Sequence, residues 1–80
     1  MDPTLVVREF VFSNFYVPET TVLSDEASLL DHGVIDSTGV LEVIAFIERT
    51  FQIRVQDEEI LPENLDSVAR ISAYVQRKRG

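Results

Sequence analysis

The sequence predicts an all-α protein, a bundle of three long helices and one short one, and three observations carry that prediction. Eighty residues form one domain, 1–80, which buries about 60% of the surface its unfolded chain exposes. Apolar residues recur three and four apart in three windows, each opened by a capping residue. The one alternating stretch, Gln52 to Gln56, is five residues long and has no partner strand.

Asp2 before Pro3 opens the first helix, an oxygen acceptor followed by a residue whose missing N–H costs nothing at a helix start. Val6, Val7, Phe10, Val11 and Phe15 recur at helical spacing, and Pro18 forbids continuation beyond about Val17. β-Branched and aromatic residues are dense here, so a strand over 5–12 is the competing assignment. Helix is favoured because Val7, Phe10, Val11 and Phe15 share one face.

Residues 18–36 form a long connection that Val22, Leu23, Leu29, Leu30, Val34 and Ile35 would pin to the core, with Gly33 supplying a positive φ. A connection of this length is either functional or falsely assigned. Asp36 and Ser37 then start the clearest helix, with Val40, Ile44, Ile47 and Phe51 as its stripe and Leu41 beside them. Gly39 in the first turn costs up to about 1 kcal/mol relative to alanine, which suggests a close approach to the backbone there. Gln52 to Gln56 reads as an extended connector, and Asp57 to Leu61 as one helical turn before Pro62. Asp66 or Ser67 caps a last helix carrying Val68, Ile71 and Val75, which ends in Arg77, Lys78 and Arg79 where the dipole favours cations.

Composition excludes several function classes. Fourteen acids against seven bases give −7, so phosphate-rich partners are repelled and neither nucleic acid nor membrane insertion is expected. Residues 1–76 hold all fourteen acids and four of the bases, or −10, so the basic end does not reverse that field. Zero cysteines exclude a disulfide scaffold, a thiolate metal site and a cysteine nucleophile, so any thiol chemistry arrives on a cofactor. No targeting signal is visible and no apolar run approaches a membrane span, which makes the cytoplasm the expected address.

One serine concentrates the chemistry. Leu29-Leu30-Asp31-His32-Gly33-Val34-Ile35-Asp36-Ser37 brings an apolar-anchored loop to a helix start and leaves a hydroxyl at the first helical position. A phosphate there would be stabilised by unpaired N–H groups and the positive end of the helix dipole, with Gly39 relieving crowding. Asp-Ser before an apolar run is most often plain N-capping, and on these residues alone that is the favoured reading.

That segment, with Gly39, Glu42, Ile47-Glu48, Phe51, Ile53, Val55, Asp57-Glu58-Glu59 and Ser67-Val68, resembles the acyl carrier proteins in the broad sense that includes peptidyl and D-alanyl carriers. The resemblance runs from about Ala27 to Val75. It implies a four-helix bundle with the long loop between helices 1 and 2, and no catalysis by the chain itself. It further implies that Ser37 receives 4′-phosphopantetheine from coenzyme A through a magnesium-dependent transferase, with Asp36 and Gly39 beside the attachment. Cargo would ride as a thioester, and the imported thiol would answer the missing cysteine. The partners implied are a phosphopantetheinyl transferase, an acyl- or aminoacyl-activating ligase, and condensing or acyl-transfer enzymes, served by a monomer.

Departures bear on which enzymes are served. Fatty-acid-synthesis carriers typically have Leu then Asp after the serine, where this chain has Thr38 and Gly39. Arg49 stands where an acid is usual, while Glu42, Glu48 and Asp57 keep part of an acidic docking face for basic enzymes. The resemblance is nearer to D-alanyl carriers and free-standing carriers of dedicated lipid, polyketide or peptide pathways. The rival reading is a helical protein-interaction module with Ser37 as a cap only. A triad of His32, Asp36 and Ser37 lacks the nucleophile elbow, and His32 is expected as an exposed loop residue or a neighbour of the arm. Asp25-Glu26 and Asp57-Glu58-Glu59 lack EF-hand spacing, so no metal site is expected.

Overall fold

A computed structural model describes residues 2–18 and 23–79. Four α-helices follow in order: α1 Thr4–Asn14, α2 Ser37–Phe51, α3 Pro62–Leu65 and α4 Val68–Arg79, with a 3-10 turn at Asp57–Glu59 before α3. No strand forms among the described residues. Val22, expected to help pin the loop, lies outside them, as do Met1 and Gly80.

α1 is a helix over the region where a strand competed. Asp2 Oδ1 accepts the Thr4 amide at 2.9 Å, Pro3 holds φ −73°, and its carbonyl accepts Val7 N at 2.9 Å. The helix stops at Asn14, three residues short of Val17. Phe15 turns extended (φ −127°, ψ 151°) while its amide closes the last turn on Val11 O. That turn throws the Phe15 ring back against Phe10, edge to face at 5.8 Å.

α4 packs against each of the other three helices. Val68, Ile71, Tyr74 and Val75 are its buried side, meeting Val7 and Val11 of α1 and Val43 and Ile47 of α2. Leu23, Leu29, Val34 and Ile35 of the loop join the same core, while Leu30, expected to help pin the loop, is 40% exposed. Ser67 Oγ caps α4 by accepting Arg70 N at 3.0 Å. Asp66 turns the other way. Its carboxylate accepts Ser28 Oγ at 2.5 Å and Leu30 N at 2.9 Å, and its carbonyl accepts Leu29 N at 2.7 Å. Arg8 secures the start of the loop through Asp25 (2.8 Å) and the Leu23 carbonyl (3.2 Å).

Two sequence expectations are corrected here. The buried line of α2 runs Gly39, Val43, Ile47, with Val40, Ile44, Phe46 and Phe51 half-buried beside it, and Leu41 is 64% exposed. The glycine is part of the contact surface, which rotates the inward face away from Leu41. The turn expected before Pro62 is present but shorter, as the 3-10 turn Asp57–Glu59, and a separate short helix that was not expected begins at Pro62 itself. Leu61 is extended (φ −131°), and Pro62 takes the first helical position, where no N–H is needed. The Gln52 to Gln56 connector is extended beyond Gln52, which ends α2 in the left-handed region at φ 58° with its side chain on the Arg49 carbonyl.

Candidate functional site

The loop delivers α2 to the surface hydroxyl first. Leu29 is fully buried, its carbonyl accepts both Val34 N (2.9 Å) and Ile35 N (3.4 Å), and Gly33 turns between them at φ 69°. With Val34 and Ile35 buried, Asp36 emerges as the N-cap. Its Oδ1 accepts Gly39 N at 2.8 Å and its carbonyl accepts Val40 N at 3.0 Å. Capping is therefore the work of Asp36. Ser37 is exposed at the first helical position, and among the described residues its hydroxyl has no hydrogen bond and the Ser37 and Thr38 amides have no acceptor.

Gly39 is buried because the fold approaches it. A Cβ there would stand 3.1 Å from Phe15 Cε1 and 3.2 Å from Ile35 Cβ. The close contact anticipated at this glycine is with the protein's own side chains, and it lets α2 start hard against the end of α1.

Two openings flank Ser37. On one side lies a polar cleft of about 300 Å³ between Asn14 and Phe15, the Gly33 to Asp36 approach, and Thr38 and Glu42. On the other lies an apolar groove of about 110 Å³. One wall of that groove is Leu30, Ile35 and Val40, and the other is Ile60, Leu61, Pro62 and Leu65, with Asp66 at their junction. Ile35 borders both spaces.

A phosphodiester with a flexible, amide-bearing arm suits these surroundings. Open amides at a helix N-terminus favour the phosphate. The crowding around Gly39 is resolved beneath the helix, away from the exposed hydroxyl. The thiol end could reach apolar or polar surroundings without rearranging the core.

The residues expected to dock partners are spread over two elements. Thr38, Glu42 and Arg49 lie exposed on α2 with Leu41 and Ala45 between them, and Asp57 is exposed on the 3-10 turn. Glu48 is different. It is half-buried and its carboxylate accepts Val55 N at 2.9 Å, so it holds the connector against α2. His32 is exposed, its amide donating to Ser28 O, and no hydrogen bond joins it to Ser37 among the described residues.

Tyr74 is the residue that the sequence reading overlooked, although its place three after Ile71 marks it as inward-facing. It is 2% exposed, and its hydroxyl donates to Glu59 Oε1 at 3.0 Å. Burial first, and then the Glu59 carboxylate that accepts its proton, push the phenol up to about 12. Glu59 moves the other way, held below the usual glutamate range by the Gln56 amide and then by Lys78.

Comparison with known proteins matches residues 7–75 to the family described as "Phosphopantetheine attachment site". An acyl carrier protein of Akkermansia muciniphila is 34% identical over 74 residues, covering 92% of this chain and 89% of that protein. A D-alanyl carrier protein of Streptococcus pyogenes serotype M5 is 33% identical over 61 residues, 76% of each chain. With a helical bundle, an exposed serine at the start of α2 and these relatives, the chain belongs to the carrier proteins whose prosthetic group is 4′-phosphopantetheine, which present substrates to enzymes and do no catalysis themselves.

Proposed function

We propose that Ser37 bears the prosthetic group, and that the chain carries acyl or aminoacyl intermediates in the cytoplasm for the enzymes of a dedicated pathway. The observation that supports the assignment is the exposed Ser37 hydroxyl beside open helix amides, with the capping role already filled by Asp36. This arrangement disfavours the reading of Ser37 as a cap alone. In loading, Ser37 Oγ displaces 3′,5′-adenosine diphosphate from coenzyme A. One P–O bond forms at Oγ, the pyrophosphate P–O bond breaks, and the hydroxyl proton passes to the transferase. The arm supplies the thiol that the cysteine-free chain lacks, so that cargo is held as a thioester.

The chain's own residues then do three things. The α2 N-terminus steadies the phosphate. The groove between Ile35 and Leu61 offers apolar cargo a surface away from water. Thr38, Glu42, Arg49 and Asp57 present a mixed-charge face to ligases and acyl-transfer enzymes. Gly39 and Arg49, which remove acidic docking charge, and Thr38, which replaces an apolar contact, favour a dedicated lipid, polyketide, non-ribosomal peptide or D-alanylation role over housekeeping fatty-acid synthesis. A single domain acting as a monomer suffices for this task.

Incubation with coenzyme A, magnesium and a broad-specificity phosphopantetheinyl transferase tests the reading. Intact mass should rise by one phosphopantetheine unit, and Ser37→Ala should abolish the gain. A protein that stays unmodified with several such transferases would sink the proposal.

A further inference from the structure

Four side chains of α4 reach the groove wall that carries Ile60, Leu61 and Pro62. Arg70 Nη1 donates to the Pro62 carbonyl at 3.3 Å. Tyr74 and Lys78 both donate to Glu59 Oε1, at 3.0 and 2.9 Å, and the Gln56 amide meets the same oxygen at 3.0 Å. Arg77 Nη2 donates to Asn64 Oδ1 at 2.9 Å, and Asn64 Nδ2 in turn holds the Glu59 carbonyl at 2.9 Å. Positions 70, 74, 77 and 78 are spaced i, i+4, i+7, i+8, so one face of α4 supplies every contact.

The wall itself is poorly buried. Ile60 and Leu61 are 37% and 41% exposed, and Leu65 is the inward anchor of a four-residue helix. A helix of one turn has almost no stability of its own. Its position depends on what grips it from outside.

We infer that Arg70, Tyr74, Arg77 and Lys78 form a clasp that positions the Ile60–Leu65 wall and thereby sets how far the apolar groove opens to cargo. This rests on the reading that cargo enters the groove. The clasp gives the basic end of the chain a task inside the molecule. Arg77 and Lys78 are positioning residues that act through Asn64 and Glu59, and neither needs to touch cargo. Glu59 is the shared catch, because one oxygen gathers donors from α4 and from its own turn. A partner that drew Lys78 or Glu59 to itself would loosen the wall without disturbing the core.

Hydrogen–deuterium exchange on the unmodified full chain tests the clasp directly. In Lys78→Met with Tyr74→Phe, which keep the stem and the ring in place, the amides of residues 60–65 should exchange about tenfold faster while those of α1 and α2 keep their rates. Lys78→Arg should restore slow exchange. Unchanged exchange in the wall, or an equal rise throughout the chain, would overturn the inference. With the arm attached and loaded with an octanoyl thioester, hydroxylamine should cleave the double variant several-fold faster than the parent. An unaltered cleavage rate in a variant whose wall does exchange faster would also overturn it. If the parent accepts no arm at Ser37, the carrier assignment at that residue fails alone, since wall exchange is read without the arm.

Discussion

The two walls of the apolar groove are built on opposite principles. The Leu30–Ile35–Val40 wall shows Leu30 to solvent at 40% but stands on buried Ile35 and Leu29 and on loop amides bonded to Leu29 O. The Ile60–Leu65 wall has only Leu65 in the core, shows Ile60 and Leu61 to solvent, and is gripped by polar side chains of α4. Burial is costly to undo because every displaced methylene meets water, whereas a polar grip can exchange protein for water at low net cost. The groove therefore has one fixed side, next to Ser37, and one adjustable side.

The heaviest blow to that contrast is Leu29→Ala, which removes the fully buried anchor of the fixed wall. It should cost about 2–5 kcal/mol in urea unfolding. Leu61→Ala on the adjustable wall should cost under about 1 kcal/mol by the same measurement, because the side chain is 41% exposed. Equal losses at the two positions would erase the distinction between the walls.

Asp66→Ala comes next. It strips the Ser28 hydroxyl and the Leu30 amide of their acceptor at the junction of the walls. A loss of about 1–3 kcal/mol is expected, with faster amide exchange confined to 28–35. A change centred on α1 would place the loop's anchor elsewhere.

pH sharpens the comparison further, since two titrating groups in the grip on the adjustable wall shift on folding. The Tyr74 hydroxyl rises from 10.0 to about 12 on folding, so its contribution is complete below pH 10 and drains away as pH climbs toward 12. Glu59 and Glu48 raise it and Arg77 opposes them, while Lys78 shares the Glu59 oxygen. Glu59 itself is lowered from 4.5, so its contribution is whole above that value and is lost as pH falls through the lower folded one. Protection of the wall amides, taken against the intrinsic exchange rate at each pH, should fall at both extremes. Tyr74→Phe should flatten the alkaline limb and Glu59→Gln the acid limb, and unaltered limbs would refute both assignments.

The smallest structural effect is expected of Arg49→Glu, exposed in the last turn of α2 and remote from both walls. Reversing a cation favoured by the dipole should cost about 0.3–1 kcal/mol. Its larger consequence is kinetic: loading by fatty-acid enzymes should improve if positive charge there repels them. Unchanged loading kinetics would remove Arg49 from the docking face.

The fixed side of the groove was largely legible in the sequence, and the adjustable side was not. Asp36 before an apolar period marks a helix start by local chemistry, and Gly33 marks its own turn, because both effects act within a few residues. Leu41 misled because the inward line of α2 runs through Gly39, which no search for apolar side chains detects. Around Pro62, Ile60 and Leu61 look like the buried end of a turn. They are the rim of a groove whose support comes from α4 side chains bonded to residues 8–19 positions before them. Periodicity identifies a face but does not name what the face meets, so the grip of α4 on Glu59 and Asn64 was invisible.

The three hydrogen bonds that Asp66 accepts from Ser28, Leu29 and Leu30 have a consequence in time. The Asp66 carboxylate lies 38 residues beyond Ser28 and 36 beyond Leu30. During synthesis the chain emerges from its N-terminus, and such distant contacts wait for the later partner. Ser37 leaves the ribosome well before the residue that fastens its approach. A nascent chain halted short of Asp66 therefore lacks the contacts that fasten the loop leading to Ser37.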